Sequence, residues 1–168
     1  MNKILSTNNL INTAIIACAT FIIGFFGLLI FNEKVKDHPI IGTKLDLPIK
    51  DWSKSSKNLV LLLQTTCHYC NESLPFYKEL ERIAKEKSIR VIAVFPQSIE
   101  EGTEHLRKNG INNIEIQWSD FRNLHITGTP TLILVDDKSE VKNYWSGKLS
   151  PDQEKKVIES LDEVTKTN

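Results

Sequence analysis

Cys67 and Cys70, three positions apart in the stretch TTCHYCNES, are the residues of this chain best suited to carry chemistry. A C-x-x-C pair can be a dithiol that cycles with its disulfide, half of a metal site, or a structural bridge. A zinc site needs four ligands. The chain offers no second C-x-x-C and no H-x-x-x-H, and His38, His68, His105 and His125 are scattered. A bridge closing so small a loop would constrain the unfolded chain little. The redox couple is therefore the preferred reading, and neither a metal nor another cofactor is expected.

The elements around the pair are those a reactive thiol needs. Asn58 to Gln64, NLVLLLQ, is a continuous apolar run of strand length, as expected of a strand covered on both faces. The next residues repeat apolar side chains at helical spacing, with Tyr69, Leu74, Tyr77, Leu80, Ile83 and Ala84 along one face. Pro75 inside that pattern predicts a kink about one turn after Cys70. Cys67 thus falls at the start of a helix, where unpaired backbone N–H groups and the helix dipole stabilise a thiolate. Only the thiolate attacks a disulfide, so Cys67 reads as the nucleophile and Cys70, one turn further in, as the resolving thiol.

Further along, Ile89 to Pro96 reads as a second buried strand. A helix follows from a Ser98 cap, with Glu101 at the capping-box position, to a stop at Gly110. NIEIQW alternates like a strand, TLILVD reads as a third central strand, and EVKNYWSG as its hairpin partner across a turn at Asp137 and Lys138. A last helix opens with Ser150 as cap and Pro151 at its first position. The order predicts an α/β sheet covered on both faces and parallel in its first half. The segment before Asn58, broken by Pro39, Gly42 and Pro48, reads as a tether leading into short edge strands.

The N-terminus is of another kind. Ala14 to Phe31 contains no charged residue, and the apolar character reaches back to Leu10 and Ile11, which is long enough for a helix to cross a bilayer core of about 30 Å. The run ends in LLIFNEK without a small-x-small cleavage site, against a removed signal peptide. It also continues well past Cys18 of the lipobox-like IIAC, against a lipoprotein. An uncleaved anchor is expected, and Cys18 reads as a small apolar helix residue. Lys3 on one side against Lys34 and Lys36 on the other leaves orientation undecided by charge. The expected organisation is a flank over 1–10, a transmembrane anchor over 11–31, a tether over 32–41 and one domain over 42–168. With 21 basic and 21 acidic residues, the chain lacks the basic excess that nucleic-acid binding demands.

CHYC after a buried strand, Pro75 five residues beyond the second cysteine, and GTPTLILVD with Thr129-Pro130 ahead of a strand together resemble the thioredoxin fold. The distance from Cys70 to Pro130 leaves room for an inserted β-α unit around 97–117. With the apolar N-terminus, the pattern is similar to the TlpA/ResA-type membrane-anchored thiol:disulfide oxidoreductases over about residues 40–165. The resemblance implies a cis Pro130 lying against Cys67, with Thr129 and Pro130 binding an extended substrate segment. It also implies protein thiol or disulfide substrates, a redox partner protein, and a domain on the extracytoplasmic side of the cytoplasmic membrane.

Three positions depart from that family. Thr66 stands where Trp is usual, Leu61 where thioredoxins bury an acid, and Ser73 where cytochrome-maturation members carry Glu, neighbouring Glu72 being out of register. His68, Tyr69 and Glu72 are the expected modulating residues: proton transfer would fall to solvent, Glu72 or His68, and a protonated His68 beside Cys67 would stabilise its thiolate. Two other functions compete. A thiol peroxidase shares the fold, but its peroxide cysteine follows a Thr or Ser by three positions, where Gln64 stands here. A non-catalytic thioredoxin-like binding or metal-delivery module would use the groove near Pro130 and turn over poorly.

Overall fold

The computed structural model describes residues 17–18, 20–22, 39, 41–124, 126 and 128–163. The chain divides into two compact units, Met1–Val35 and Lys36–Asn168. In the first, residues 17–18 and 20–22 are helical and exposed, and the remainder of the expected anchor lies outside the described residues. Among the described residues no helix is long and apolar enough to cross a membrane.

The second unit is built on a five-stranded sheet: β1 (Lys57–Leu62), β2 (Arg90–Phe95), β3 (Glu115–Trp118), β4 (Thr131–Asp136) and β5 (Val141–Ser146), in the order β3-β2-β1-β4-β5. β1, β2 and β3 are parallel neighbours, whereas β4 runs antiparallel to both β1 and β5. The unbroken apolar run thus becomes the central strand, with Leu59 to Leu62 wholly buried. The inserted unit expected around 97–117 supplies a helix and the edge strand β3. Arg90 ties that edge to β2 with a two-pronged contact to Glu115, Nε to Oε2 at 2.8 Å and Nη2 to Oε1 at 2.7 Å.

Among the described residues four α-helices, α1 (His68–Glu72), α2 (Leu74–Lys87), α3 (Ile99–Lys108) and α4 (Pro151–Glu163), and a short 3-10 turn at Phe121–Asn123 complete the unit. Pro75 does more than kink a helix, because it separates α1 from α2 at Ser73 and sits in the first turn of the second. Ser98 caps α3 by accepting from the Glu101 N–H at 3.1 Å. At the start of α4, Ser150 and Gln153 bond reciprocally, backbone N–H to Oε1 at 2.9 Å and backbone N–H to Oγ at 3.4 Å.

The two sheet faces are covered differently. Leu59 and Leu61 face a core that takes Cys70, Phe76, Tyr77, Leu80, Leu106 and Val157 from the four helices. Val60 and Leu62 face a second core filled by Leu45, Leu47, Ile49 and Leu124, with Trp52 and Phe121 at its margin. Short edge strands were the expectation for the segment before β1. Instead it makes one bridge, Lys44 to Glu140, and then crosses the sheet face. Pro48 has no N–H to add to a ladder, and the segment bonds within itself, Leu47 N–H to the Leu45 carbonyl at 3.1 Å and Ile49 N–H to the Leu47 carbonyl at 2.7 Å. Its alternate leucines and isoleucine then do the covering that helices do on the other side.

Candidate functional site

β1 delivers the chain to the site. Past Leu62 the backbone turns, Cys67 N–H bonding the Gln64 carbonyl at 3.1 Å, and Cys67 becomes the N-cap of α1 in extended conformation. In that position its sulfur accepts from the Cys70 N–H at 3.2 Å, the interaction expected of a cap. The Cys67 thiol donates to the Thr129 carbonyl, also at 3.2 Å. Thr129 precedes Pro130 through a cis peptide bond, as the sequence pattern implied. β4 begins immediately afterwards, so the two central antiparallel strands β1 and β4 bring Cys67 and Pro130 to one end of the sheet.

The two thiols differ in environment. Cys67 is half-buried and Cys70 is 2 % exposed. Burial opposes ionisation of Cys67, but the side chains of Cys70 and Thr129 and the backbone N–H groups of Cys70 and Tyr69, which can all donate to its sulfur, outweigh it and hold the thiol below the ordinary cysteine range. Burial pushes Cys70 up to about 12, and its neighbour Cys67 adds to the rise. One sulfur is thus disposed to be an accessible nucleophile, while the other is a thiol held in reserve.

His68 is placed otherwise than expected. Its Nε2 is 3.2 Å from Glu72 Oε1, one helical turn on, and the side chain is 78 % exposed. Adjacent helix positions point in different directions whereas i and i+4 share a face, so His68 meets Glu72 rather than Cys67. Glu72 in turn accepts from Lys148 Nζ at 2.9 Å, a contact that holds its carboxyl below the usual range. Glu72 therefore binds the active-site helix to the loop after β5 and faces away from the buried Cys70. Tyr69 is 55 % exposed, and its ring centroid lies 5.5 Å from that of His68.

The departures noted in the sequence also have places. Thr66 is exposed next to Cys67, and Leu61 is fully buried on the same sheet face as Cys70. No carboxylate therefore reaches Cys70 from β1. Lys148 went unnoticed in the sequence because nothing local links it to Glu72, 76 positions away. Among the described residues no group of three or more His, Cys, Asp or Glu side chains could hold a metal ion.

The fold is thioredoxin-like. Solved structures similar to this chain include the thioredoxin domain of a thiol-disulfide oxidoreductase from Bacteroides vulgatus (16% identity, TM-score 0.56, covering 72% of this chain and 96% of that one). A thiol-disulfide isomerase from Corynebacterium glutamicum is similar at 16% identity and TM-score 0.53, over 74% of this chain and 93% of its own. StoA from Bacillus subtilis shares 18% identity at TM-score 0.51, over 63% of this chain and 82% of its own. No protein-family model and no curated protein matches the sequence. At these identities the likeness concerns the fold, and it agrees with the TlpA/ResA-type resemblance of the sequence.

Proposed function

We propose that the chain is a membrane-anchored thiol:disulfide oxidoreductase that exchanges disulfides with protein substrates outside the cytoplasmic membrane. The observation that carries this reading is the asymmetry of the couple: a half-buried Cys67 with hydrogen-bonded sulfur, ahead of a buried Cys70 whose proton is held. The apolar run before the domain supports the anchor.

The exchange runs in two displacements. The Cys67 thiolate attacks one sulfur of a substrate disulfide, the substrate's S–S bond breaks, and its other sulfur leaves as a thiolate that takes up a proton. Cys70 then loses its proton and attacks Cys67, the mixed disulfide breaks, and the second substrate sulfur leaves reduced. The product is the Cys67–Cys70 disulfide, and two electrons have passed to the substrate. A redox partner protein restores the dithiol by the reverse steps. Thr129 and Pro130 border Cys67 and would align an extended substrate segment by backbone pairing.

The direction of flow follows from the reduction potential of the couple. A value near about −270 mV marks a reductant and one near about −120 mV an oxidant. The reading is tested by stopped-flow reduction of a peptide disulfide, with hydrogen peroxide as the control. Rapid peptide reduction with slow peroxide turnover is expected; faster consumption of peroxide would make the protein a thiol peroxidase instead.

A further inference from the structure

The exchange scheme makes no use of Tyr77, yet this side chain is 1 % exposed and packs in the same core as Cys70. Its hydroxyl is buried and has no hydrogen-bond partner among the described residues. Buried tyrosine hydroxyls usually find a partner, because an unpaired one bears the full cost of leaving water. Phenylalanine would fill the same space without that cost.

The position of Tyr77 is specific. It follows Cys70 by two helical turns, and the helical path crosses the Pro75 break: Ser73 N–H bonds the Tyr69 carbonyl at 3.2 Å and Tyr77 N–H the Ser73 carbonyl at 3.1 Å. Helical side chains lean toward the N-terminus, which directs the Tyr77 ring toward the turn that carries Ser73 and Cys70, and Tyr77 and Cys70 share one core. The groups that act on its hydroxyl are Cys70, then the Ser73 hydroxyl, then Cys67 and Glu154; the Ser73 oxygen is near enough to favour the charged phenolate but makes no hydrogen bond to it within normal geometry. The Ser73 hydroxyl proton is already given to the Tyr69 carbonyl at 2.8 Å. Leu61 offers no acid, and Glu72 is engaged by Lys148 and His68.

We propose that the Tyr77 hydroxyl is a catalytic hydrogen-bond donor to the Cys70 sulfur, used when Cys70 becomes a thiolate to attack the mixed disulfide. The proposal rests on the exchange function above. In the resting dithiol Cys70 keeps its proton, and a neutral thiol is a poor acceptor. During resolution the Cys70 proton passes to water, negative charge gathers on the sulfur, and the charge moves through Cys67 to the departing substrate sulfur, which is then protonated. The phenol meets charge only in that interval and stays un-ionised throughout, since burial pushes its ionisation well above the ordinary range. An interaction made in the transition state and not in the ground state accelerates the step.

The test follows reduced full-length protein reacting with dithiobis(nitrobenzoate), in a Cys18→Ser background because Cys18 is exposed. The first thionitrobenzoate released reports attack by Cys67, and the second reports displacement by Cys70. Tyr77→Phe should slow the second release about tenfold or more, the loss expected for a hydrogen bond to a charged group, and leave the first unchanged. Its melting temperature should equal or exceed that of the parent, because an unpaired buried hydroxyl has been removed. Replacement of Tyr77 by 3-fluorotyrosine, a stronger donor of nearly the same size, should speed the second release. A second-phase rate within twofold of the parent in Tyr77→Phe, or equal slowing of both phases, would overturn the proposal. Absence of any second release from the parent itself would overturn the exchange reading and this proposal with it.

Discussion

The Cys67 thiol donates to the carbonyl of Thr129 at 3.2 Å, joining the N-cap of α1 to a residue 62 positions away at the entrance to β4. That contact sets Cys67 beside the Thr129-Pro130 peptide, and the Cys70 N–H bonds the same sulfur at 3.2 Å.

Donors around the Cys67 sulfur and the burial of Cys70 should make the two cysteines titrate far apart. Alkylation of Cys67 by iodoacetamide should reach half-maximal rate below the pH of an ordinary thiol, and Cys70 should resist alkylation in the folded protein at any pH below about 12. A stability trend follows. Cys70 has a raised folded pKa, so its contribution is complete below its unfolded value, near 9, and is lost as pH rises from there toward 12. Urea denaturation of the reduced protein should show a loss of a few kcal/mol over that interval, with a smaller loss in Cys70→Ala. Equal pH dependence in both proteins would contradict the assignment.

His68→Ala should leave the pH profile of Cys67 unchanged, because the imidazole faces Glu72 and not the sulfur. Thiolate absorbance against pH reads this directly. A shift of the Cys67 profile to higher pH in the variant would mean that His68 stabilises the thiolate.

Gly102 of α3 packs directly against the Phe95 side chain of β2. A Cβ there would lie 2.6 Å from Cδ2 of Phe95, whose side chain is fully buried. Gly102→Ala should lower stability by about 1–2 kcal/mol, overpacking outweighing the better helix propensity of alanine. A denaturation midpoint at or above that of the parent would show that Phe95 has room to move.

Much of this was legible in the sequence because the signals were local. The five strands follow from short apolar or alternating runs, and the caps at Ser98 and Ser150 and the first-turn Pro151 from side chains next to the backbone they serve. The placement of the two cysteines was readable because both lie in one helical turn. What escaped depends on chain segments meeting across distance. A segment without regular helix fills much of the second core: Leu45, Leu47 and Ile49 alternate like a strand, yet past the bonds of Gly42, Thr43 and Leu45 to residues 139–141 the segment bonds within itself. Lys148 reaches Glu72 from the loop after β5. Tyr77 was visible only as one more apolar position on a helix face, because an unpaired hydroxyl appears only when its surroundings are known.

The proposed anchor is tested by extraction. Detergent should release the full chain from membranes, whereas high salt and alkaline carbonate should not, since a span of this length is held by apolar burial and not by charge. Recovery of most of the protein in the carbonate wash would contradict the anchor. Labelling of Cys67 by an impermeant thiol reagent only after cell lysis would contradict the extracytoplasmic location.

The division of labour between the two sulfurs is tested most directly by trapping. Full-length Cys70→Ser should accumulate a mixed disulfide between Cys67 and substrate, visible as a mobility shift on non-reducing gels and abolished by dithiothreitol. Cys67→Ser should form none and catalyse no exchange, because the remaining thiol is buried and keeps its proton. Equal trapping by both variants, or by Cys67→Ser alone, would contradict the account.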